Sequence, residues 1–278
     1  MSRKYLLNLI TIFSVFLISC NKKADIPSYL VVDKFDFEGD SSNLALQDAW
    51  VYVNNEFKGT YPLPAKIPVY LNGEANVEIK PGIILFEQKG IRVKHPFLVA
   101  NVTILNFTEK SETKLTPKLK YSNTSNFLVR EDFEQDYGLL KLIFNGKDSF
   151  PEYRFANNQS FGNYSGRFIS HNQKRSKITL KDSIYFKSTE NWLIELDYLN
   201  KGAVEFGVEV FKNGVWDDYP ILLNMPPVNK WQKTYFNPMP YLKDAMSEGY
   251  FRFYVLVYVS NQTQEVFLDN LHIIKQVD

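Results

Sequence analysis

Period-two alternation of apolar and polar residues is the feature that most limits what this chain can fold into. It is longest over residues 250–259, where Phe251, Phe253, Val255, Val257 and Val259 fall on one face and Tyr250, Arg252, Tyr254, Leu256 and Tyr258 on the other. Only an extended strand places successive side chains on opposite sides. Residues 204–211 repeat the pattern, with Val204, Phe206, Val208 and Val210 set against Glu205, Gly207 and Glu209. Residues 192–198 put Trp192, Ile194, Leu196 and Tyr198 on one face, and shorter runs occur at 29–37, 49–53, 67–71 and 75–79. No segment of ten or more residues has convincing helical spacing, and only residues 241–246 are expected to hold a short helix in a loop.

Turn residues punctuate these runs. Asn54-Asn55 reads as a turn, Asn72-Gly73 as a hairpin signal, Pro81-Gly82 as the end of a strand, and Asn213-Gly214 as a type I′ hairpin. Many short strands joined by such turns imply an all-β architecture. The aromatic content of 15%, with 22 Phe and 17 Tyr, favours the same class. A single cysteine, Cys20, rules out an intramolecular disulfide, so the fold depends on a full hydrophobic core. A length of 278 residues suggests two such cores. The polar stretch 122–126 is the expected linker between a β-sandwich over residues 26–121 and a second one over residues 127–278. A net charge of +1 disfavours a nucleic-acid partner.

Ahead of these runs stand Arg3 and Lys4, an apolar stretch over residues 5–18, and then Leu17-Ile18-Ser19-Cys20. A basic start, a short apolar run and a small residue before the cut describe a signal peptide, here residues 1–19. The run is short for a membrane span, which needs about 20 apolar residues. The sequence around the cut resembles the lipobox of bacterial lipoproteins. That resemblance implies cleavage before Cys20, diacylation of its thiol, acylation of its new amine, and a membrane tether over residues 20–25. Asn21 in place of Asp at the next position implies, by the same resemblance, the outer membrane. The alternative is an ordinary signal peptide or anchor with an incidental cysteine.

Two further resemblances bear on the sandwiches. Ala49, Val51 and Val53, then Gly59-Thr60 and Pro62, then Gly73, and finally Val77, Ile79 and Pro81-Gly82 resemble PEGA-type domains and their transthyretin-like relatives. This implies a spacer or assembly module without catalytic residues. The opening Glu131-Asp132-Phe133-Glu134, Ser165-Gly166, Trp231-Gln232-Lys233 and the closing Phe267-Leu268-Asp269-Asn270-Leu271 resemble the galactose-binding-like jelly rolls of carbohydrate-binding modules and MAM domains. This implies a two-sheet binding module.

Three sets of residues are candidates for function. Alternation places Asp269 on the apolar face of Phe267, Leu271 and Ile273, where a carboxylate is costly unless paired or metal-bound. In the jelly-roll families an acid at this place joins one from the opening strand around a structural calcium, which would make Glu134 its partner. The alternative is that Asp269 accepts backbone N–H groups. The second set is the face opposite the expected core: Glu195, Asp197, Glu205, Glu209, Arg252, Tyr254 and Tyr258. Rings stack on sugars, and carboxylates and guanidinium bind hydroxyls. The same residues would equally make a solvated face of cross-strand pairs. Trp216, Tyr219 and Trp231 form a third, lesser candidate near turns.

Enzyme readings are weak. His95, His171 and His272 have no catalytic motif around them, and His95 before Pro96 is expected to be structural or exposed. No nucleophile elbow occurs. Glu195 and Asp197 share a face as a glycosidase pair would, but two carboxylates in a strand are more often exposed or paired. The sequence therefore leads to a non-catalytic, lipid-anchored envelope protein that binds a glycan or other extracellular ligand. A structural subunit of an outer-membrane complex, meeting an envelope protein partner, is the rival, and a glycoside hydrolase a distant third.

Overall fold

The computed structural model describes residues 26–277, except 39–43, 101, 136–137, 145–146, 150–151, 156–161, 171–175 and 259. The signal segment and Cys20 lie outside the described residues. Those residues form strands with one helix, Met239–Ala245.

Residues 28–121 build a first sandwich. Its five-stranded sheet has the order Glu56–Pro62, Asp48–Val53, Gly73–Ile84 and Arg92–Lys94, with Thr103–Phe107 also paired to Gly73–Ile84. A three-stranded sheet of Glu112–Lys114, Ser28–Val32 and Ala65–Val69 faces it. Leu30, Val32, Val51, Val53, Ile67, Val77, Ile79 and Phe107 close the core between them. A second three-stranded sheet joins Asp36–Phe37, Lys118–Tyr121 and Leu98–Ala100. Two pairings are parallel: Ser28–Val32 with Glu112–Lys114, and Asp36–Phe37 with Lys118–Tyr121.

Turn chemistry is only partly as expected. Asn54 and Asn55 adopt φ of 51° and 65° and close a tight hairpin between Asp48–Val53 and Glu56–Pro62, as a type I′ turn requires. Asn72-Gly73 makes no hairpin. It carries the chain from Ala65–Val69, which pairs with Ser28–Val32, to Gly73–Ile84, which pairs with Asp48–Val53 in the other sheet. Pro81-Gly82 does not end its strand, which runs on to Ile84. Pro81 needs no ladder donor there, while its carbonyl accepts the His95 amide at 2.8 Å. A side chain on Gly82 would place its Cβ 2.7 Å from Asp48 Cβ and 2.9 Å from Trp50 Nε1.

Residues 125–276 build the second sandwich, an antiparallel jelly roll. Its six-stranded sheet contains Glu152–Phe155, Ser165–Ser170, Gln264–Gln276, Trp192–Asn200 and Gln232–Phe236, with Ser125–Glu131 also paired to Gln264–Gln276. Its seven-stranded sheet contains Lys147–Ser149, Leu140–Phe144, Ser176–Leu180, Glu248–Val257, Val204–Lys212 and Val215–Met225, with Ile184–Lys187 on Glu248–Val257. Asn213 and Gly214, at φ of 52° and 85°, turn the chain from Val204–Lys212 into Val215–Met225. The apolar faces read from the sequence meet in one core. Rings dominate it: Tyr198 packs edge-on to Phe206 at 5.0 Å, and Trp192 edge-on to Phe251 at 5.5 Å. Met239, Leu242 and Ala245 of the helix turn inward against this core.

The junction is short. Ser122 N donates to Phe97 O at 2.7 Å, and the first strand of the second sandwich already starts at Ser125, inside the expected linker. The two sandwiches share an apolar cluster of Ile83, Leu85 and Phe97 from the first and Leu193, Tyr235 and Ile274 from the second. Gly82→Ala pushes a methyl group into Asp48 and Trp50, so it is expected to cost about 1–3 kcal/mol. Urea unfolding checks this: the midpoint should fall while the slope stays constant.

Candidate ligand-binding face

The two sheets of the second sandwich treat their outer faces differently. On the six-stranded sheet, all nine residues of Trp192–Asn200 are buried. Trp192, Ile194, Leu196 and Tyr198 face the jelly-roll core. Leu193 and Glu195 face outward and are covered by the first sandwich. Glu195 is fully buried and receives His95 Nε2–H at 2.9 Å and the Tyr121 hydroxyl at 2.8 Å. His272 Nδ1 lies 3.4 Å away. His95 Nδ1 itself accepts the amides of Phe97 and Leu98 at 3.2 and 3.1 Å. Two donors on Nδ1 place the ring proton on Nε2, aimed at the carboxylate. Burial alone would push the Glu195 carboxyl up; the donors from His272 and His95, with the Lys233 charge nearby, outweigh it and hold the group well below the usual carboxylate range. Burial and the Glu195 charge push the Tyr121 hydroxyl up.

Asp197 is equally buried. Lys233 Nζ stands 3.2 Å from its Oδ2 and Asn270 Nδ2 3.0 Å from the same atom. Burial outweighs both and raises its pKa. Glu195 and Asp197 were expected on an open face. The structure corrects that placement, because the first sandwich seals Glu195 and Lys233 and Asn270 enclose Asp197.

The seven-stranded sheet keeps an outer face that carries the other expected residues. Glu205 accepts the Tyr254 hydroxyl at 2.6 Å and the Tyr258 hydroxyl at 2.9 Å, one on each oxygen. Glu209 accepts Lys177 Nζ at 3.1 Å and Thr179 Oγ1 at 3.0 Å, and it forms an ion pair with Arg252, whose Nε lies 2.8 Å away. Lys177 also pairs with Asp218. The Arg252 guanidinium lies 3.7 Å over the Trp216 ring. Tyr254 lies across Gly207, where any Cβ would come within 2.5 Å of its ring. Glu205, Glu209, Arg252 and Tyr254 are thus a buried floor rather than free side chains, and Tyr258 is half-buried.

Above this floor stands a strip of rings that sequence reasoning did not select. Tyr185, Phe211 and Tyr250 are 41%, 42% and 49% exposed. Tyr185 pairs with Tyr250 at 5.4 Å, and Phe211 with half-buried Trp216 at 5.2 Å. Continuing the row Glu205, Gly207, Glu209 by one step finds Phe211. Lys177 and Tyr185 emerge only from the strand order. Of the turn aromatics, Trp216 joins this face, while Tyr219 packs against the core.

The metal expectation finds no support in the contacts. Glu134 accepts the Asn163 amide at 2.6 Å and the Tyr164 amide at 3.0 Å on one oxygen and Asn163 Nδ2 at 3.0 Å on the other. Val266 and Leu268, then Leu271 and Ile273, face the core, so a bulge at Asp269-Asn270 reverses the alternation. Asn270 adopts φ of 47° there. Asp269 therefore lies opposite the core face expected for it, beside Asp197 in the ladder, and its Oδ1 accepts the Asn270 amide at 2.9 Å. Among the described residues no group of three or more His, Cys, Asp or Glu is disposed around a cation. No role is derived from a calcium ion.

No protein family and no curated protein matches the chain. It is similar to the solved family 22 xylan-binding module from Paenibacillus barcinonensis, with 14% identity over 56% of this chain and 99% of that one and a TM-score of 0.39. It is also similar to a family 61 carbohydrate-binding module in complex with β-1,4-galactotriose, with 11% identity over 51% of this chain and 89% of that one and a TM-score of 0.33. A carbohydrate-binding module of the β-sandwich superfamily shares 9% identity over 90% of this chain and 99% of that one, with a TM-score of 0.38.

Glu195→Ala leaves the donors of His95 and Tyr121 buried without an acceptor and is expected to cost about 3–5 kcal/mol at neutral pH. Because the folded carboxyl titrates below its ordinary 4.5, its contribution is complete above that pH and is lost as the pH falls through the folded value. Glu195→Gln should therefore fold but lose stability less steeply than the parent protein on acidification below pH 4.5. Urea midpoints across an acid series check both.

Proposed function

We propose that this protein is a non-catalytic glycan-binding lipoprotein that holds an extended, hydroxyl-rich chain across the outer face of its seven-stranded sheet. The observation that carries this reading is the strip Tyr185, Tyr250, Phe211 and Trp216 beside the part-exposed charges of Lys177 and Asp218, with Glu209 and Arg252 buried beneath them. Rings supply flat apolar area at little conformational cost, and fixed donors and acceptors meet hydroxyls without further ordering.

The carboxylates argue against hydrolysis. A glycosidase needs two acids open to one substrate. Glu195 and Asp197 are sealed, and both oxygens of Glu205 are committed to tyrosine hydroxyls.

The membrane part of the proposal rests on Leu17-Ile18-Ser19-Cys20 ahead of a polar tether. Lipid on Cys20 would hold the binding face at the outer membrane.

Retention of the purified protein in gels containing neutral plant polysaccharides tests the binding site. Trp216→Ala is expected to weaken retention by tenfold or more, about 1.4 kcal/mol, with the urea midpoint little changed. No retention by any polysaccharide would sink the reading. Labelled palmitate should enter the full chain in a bacterial host and should not enter Cys20→Ser. Equal labelling of the two would remove the anchor.

A further inference from the structure

The five-stranded sheet of the first sandwich also has an outer face, and it is aromatic. Alternation sends Ala49, Val51 and Val53 into the core, so Trp50 and Tyr52 emerge on the other side. Phe57, opposite Tyr52 in the register, joins them and is 48% exposed. Its ring lies within 28° of parallel to Trp50 at 5.7 Å, and 5.2 Å from Tyr52. Gly82 lets the indole lie down, since its absent side chain leaves the space beside Trp50 Nε1. The three rings therefore pack together as one aromatic cluster on this face.

Two ammonium groups stand beside it. Lys94 Nζ is 5.7 Å from the centre of the Trp50 ring and lies off the hydroxyl edge of Tyr52, and Lys80 Nζ is 5.2 Å from the centre of the Tyr52 ring. Lys80 has a carboxylate partner in Glu78 at 3.3 Å. Lys94 pairs with no carboxylate among the described residues; its one polar contact there is the Tyr52 hydroxyl at 3.5 Å. Trp50 and Tyr52 are half-buried and Phe57 is the exposed ring of the three.

We propose that this cluster is a second glycan site, specific for polysaccharides that carry carboxylates. A pyranose stacks on the exposed Phe57 ring, and a carboxylate on the same sugar meets the Lys94 ammonium beside Trp50. A neutral chain would have to displace Lys94 and Lys80 without replacing their attraction to the rings. The site lies on the other sandwich from the face proposed above and stands or falls independently of it.

The test is retention of the whole protein by polygalacturonate, with neutral xylan, polyglutamate and anionic phospholipid vesicles as comparisons. The expected result is retention by polygalacturonate that falls at least tenfold in Lys80→Glu/Lys94→Glu and in Phe57→Ala. Trp216→Ala should leave it unchanged, which separates this site from the first. These surface changes leave the core intact, and equal urea midpoints confirm it. Equal retention by polyglutamate reduces the face to charge alone and overturns the proposal. So does retention insensitive to Phe57→Ala, or Lys94-dependent capture by vesicles in place of polygalacturonate.

Discussion

A buried carboxylate ties this molecule together. Glu195 belongs to the jelly roll, yet the groups that make its burial tolerable come largely from the other sandwich. His95 donates a proton whose position is fixed by two backbone amides, and Tyr121 adds its hydroxyl. A buried charge without such donors is strongly unfavourable, whereas one that is fully engaged fixes a unique arrangement. Around it the apolar cluster of Ile83, Leu85, Phe97, Leu193, Tyr235 and Ile274 excludes water. Tyr235 donates to the Leu44 carbonyl, and its own carbonyl accepts the Phe86 amide at 2.9 Å. The sandwiches therefore form one seam of matched donors and acceptors.

This seam decides which surfaces are left for ligands. A sheet has two faces, and a sandwich uses one. The first sandwich takes the part of the six-stranded sheet's second face around Leu193 and Glu195. The seven-stranded sheet keeps its outer face, with acids held by tyrosines, Arg252, Lys177 and Thr179 rather than by another part of the chain. The same residue pattern, acids alternating with hydrophobes, thus has two fates: a sealed polar seam in one sheet and the floor of an open face in the other.

Much of the fold was legible because strand periodicity is a local property. The inward sets Trp192 to Tyr198, Val204 to Val210 and Phe251 to Val257 were readable from alternation alone, and so were the two Asn-led hairpins at Asn54 and Asn213. The misreadings share a cause: each depends on something outside its own segment. Asn72-Gly73 has the composition of a hairpin, but its flanking strands find partners in different sheets. One residue of bulge at Asn270 moved Asp269 to the other side of its strand. Glu195 and Asp197 were correctly placed opposite the core, but alternation identifies a face without saying what will cover it. The aromatic strip was missed for a related reason. Tyr185, Phe211 and Tyr250 come from three strands and become neighbours only through register.

The two parallel pairings of the first sandwich have a mechanical meaning. Both join a strand near the start of that sandwich to one near its end: Ser28–Val32 lies beside Glu112–Lys114, and Asp36–Phe37 beside Lys118–Tyr121. Tension that enters ahead of Ser28 and leaves beyond Tyr121 pulls each parallel pair in opposite senses along its length. The hydrogen bonds between them are then sheared together instead of being peeled one at a time. Separation by shear requires the bonds of each pair to fail together, so these short pairings resist force along the chain more than peeled ones would, upstream of the jelly roll that carries the first proposed binding face.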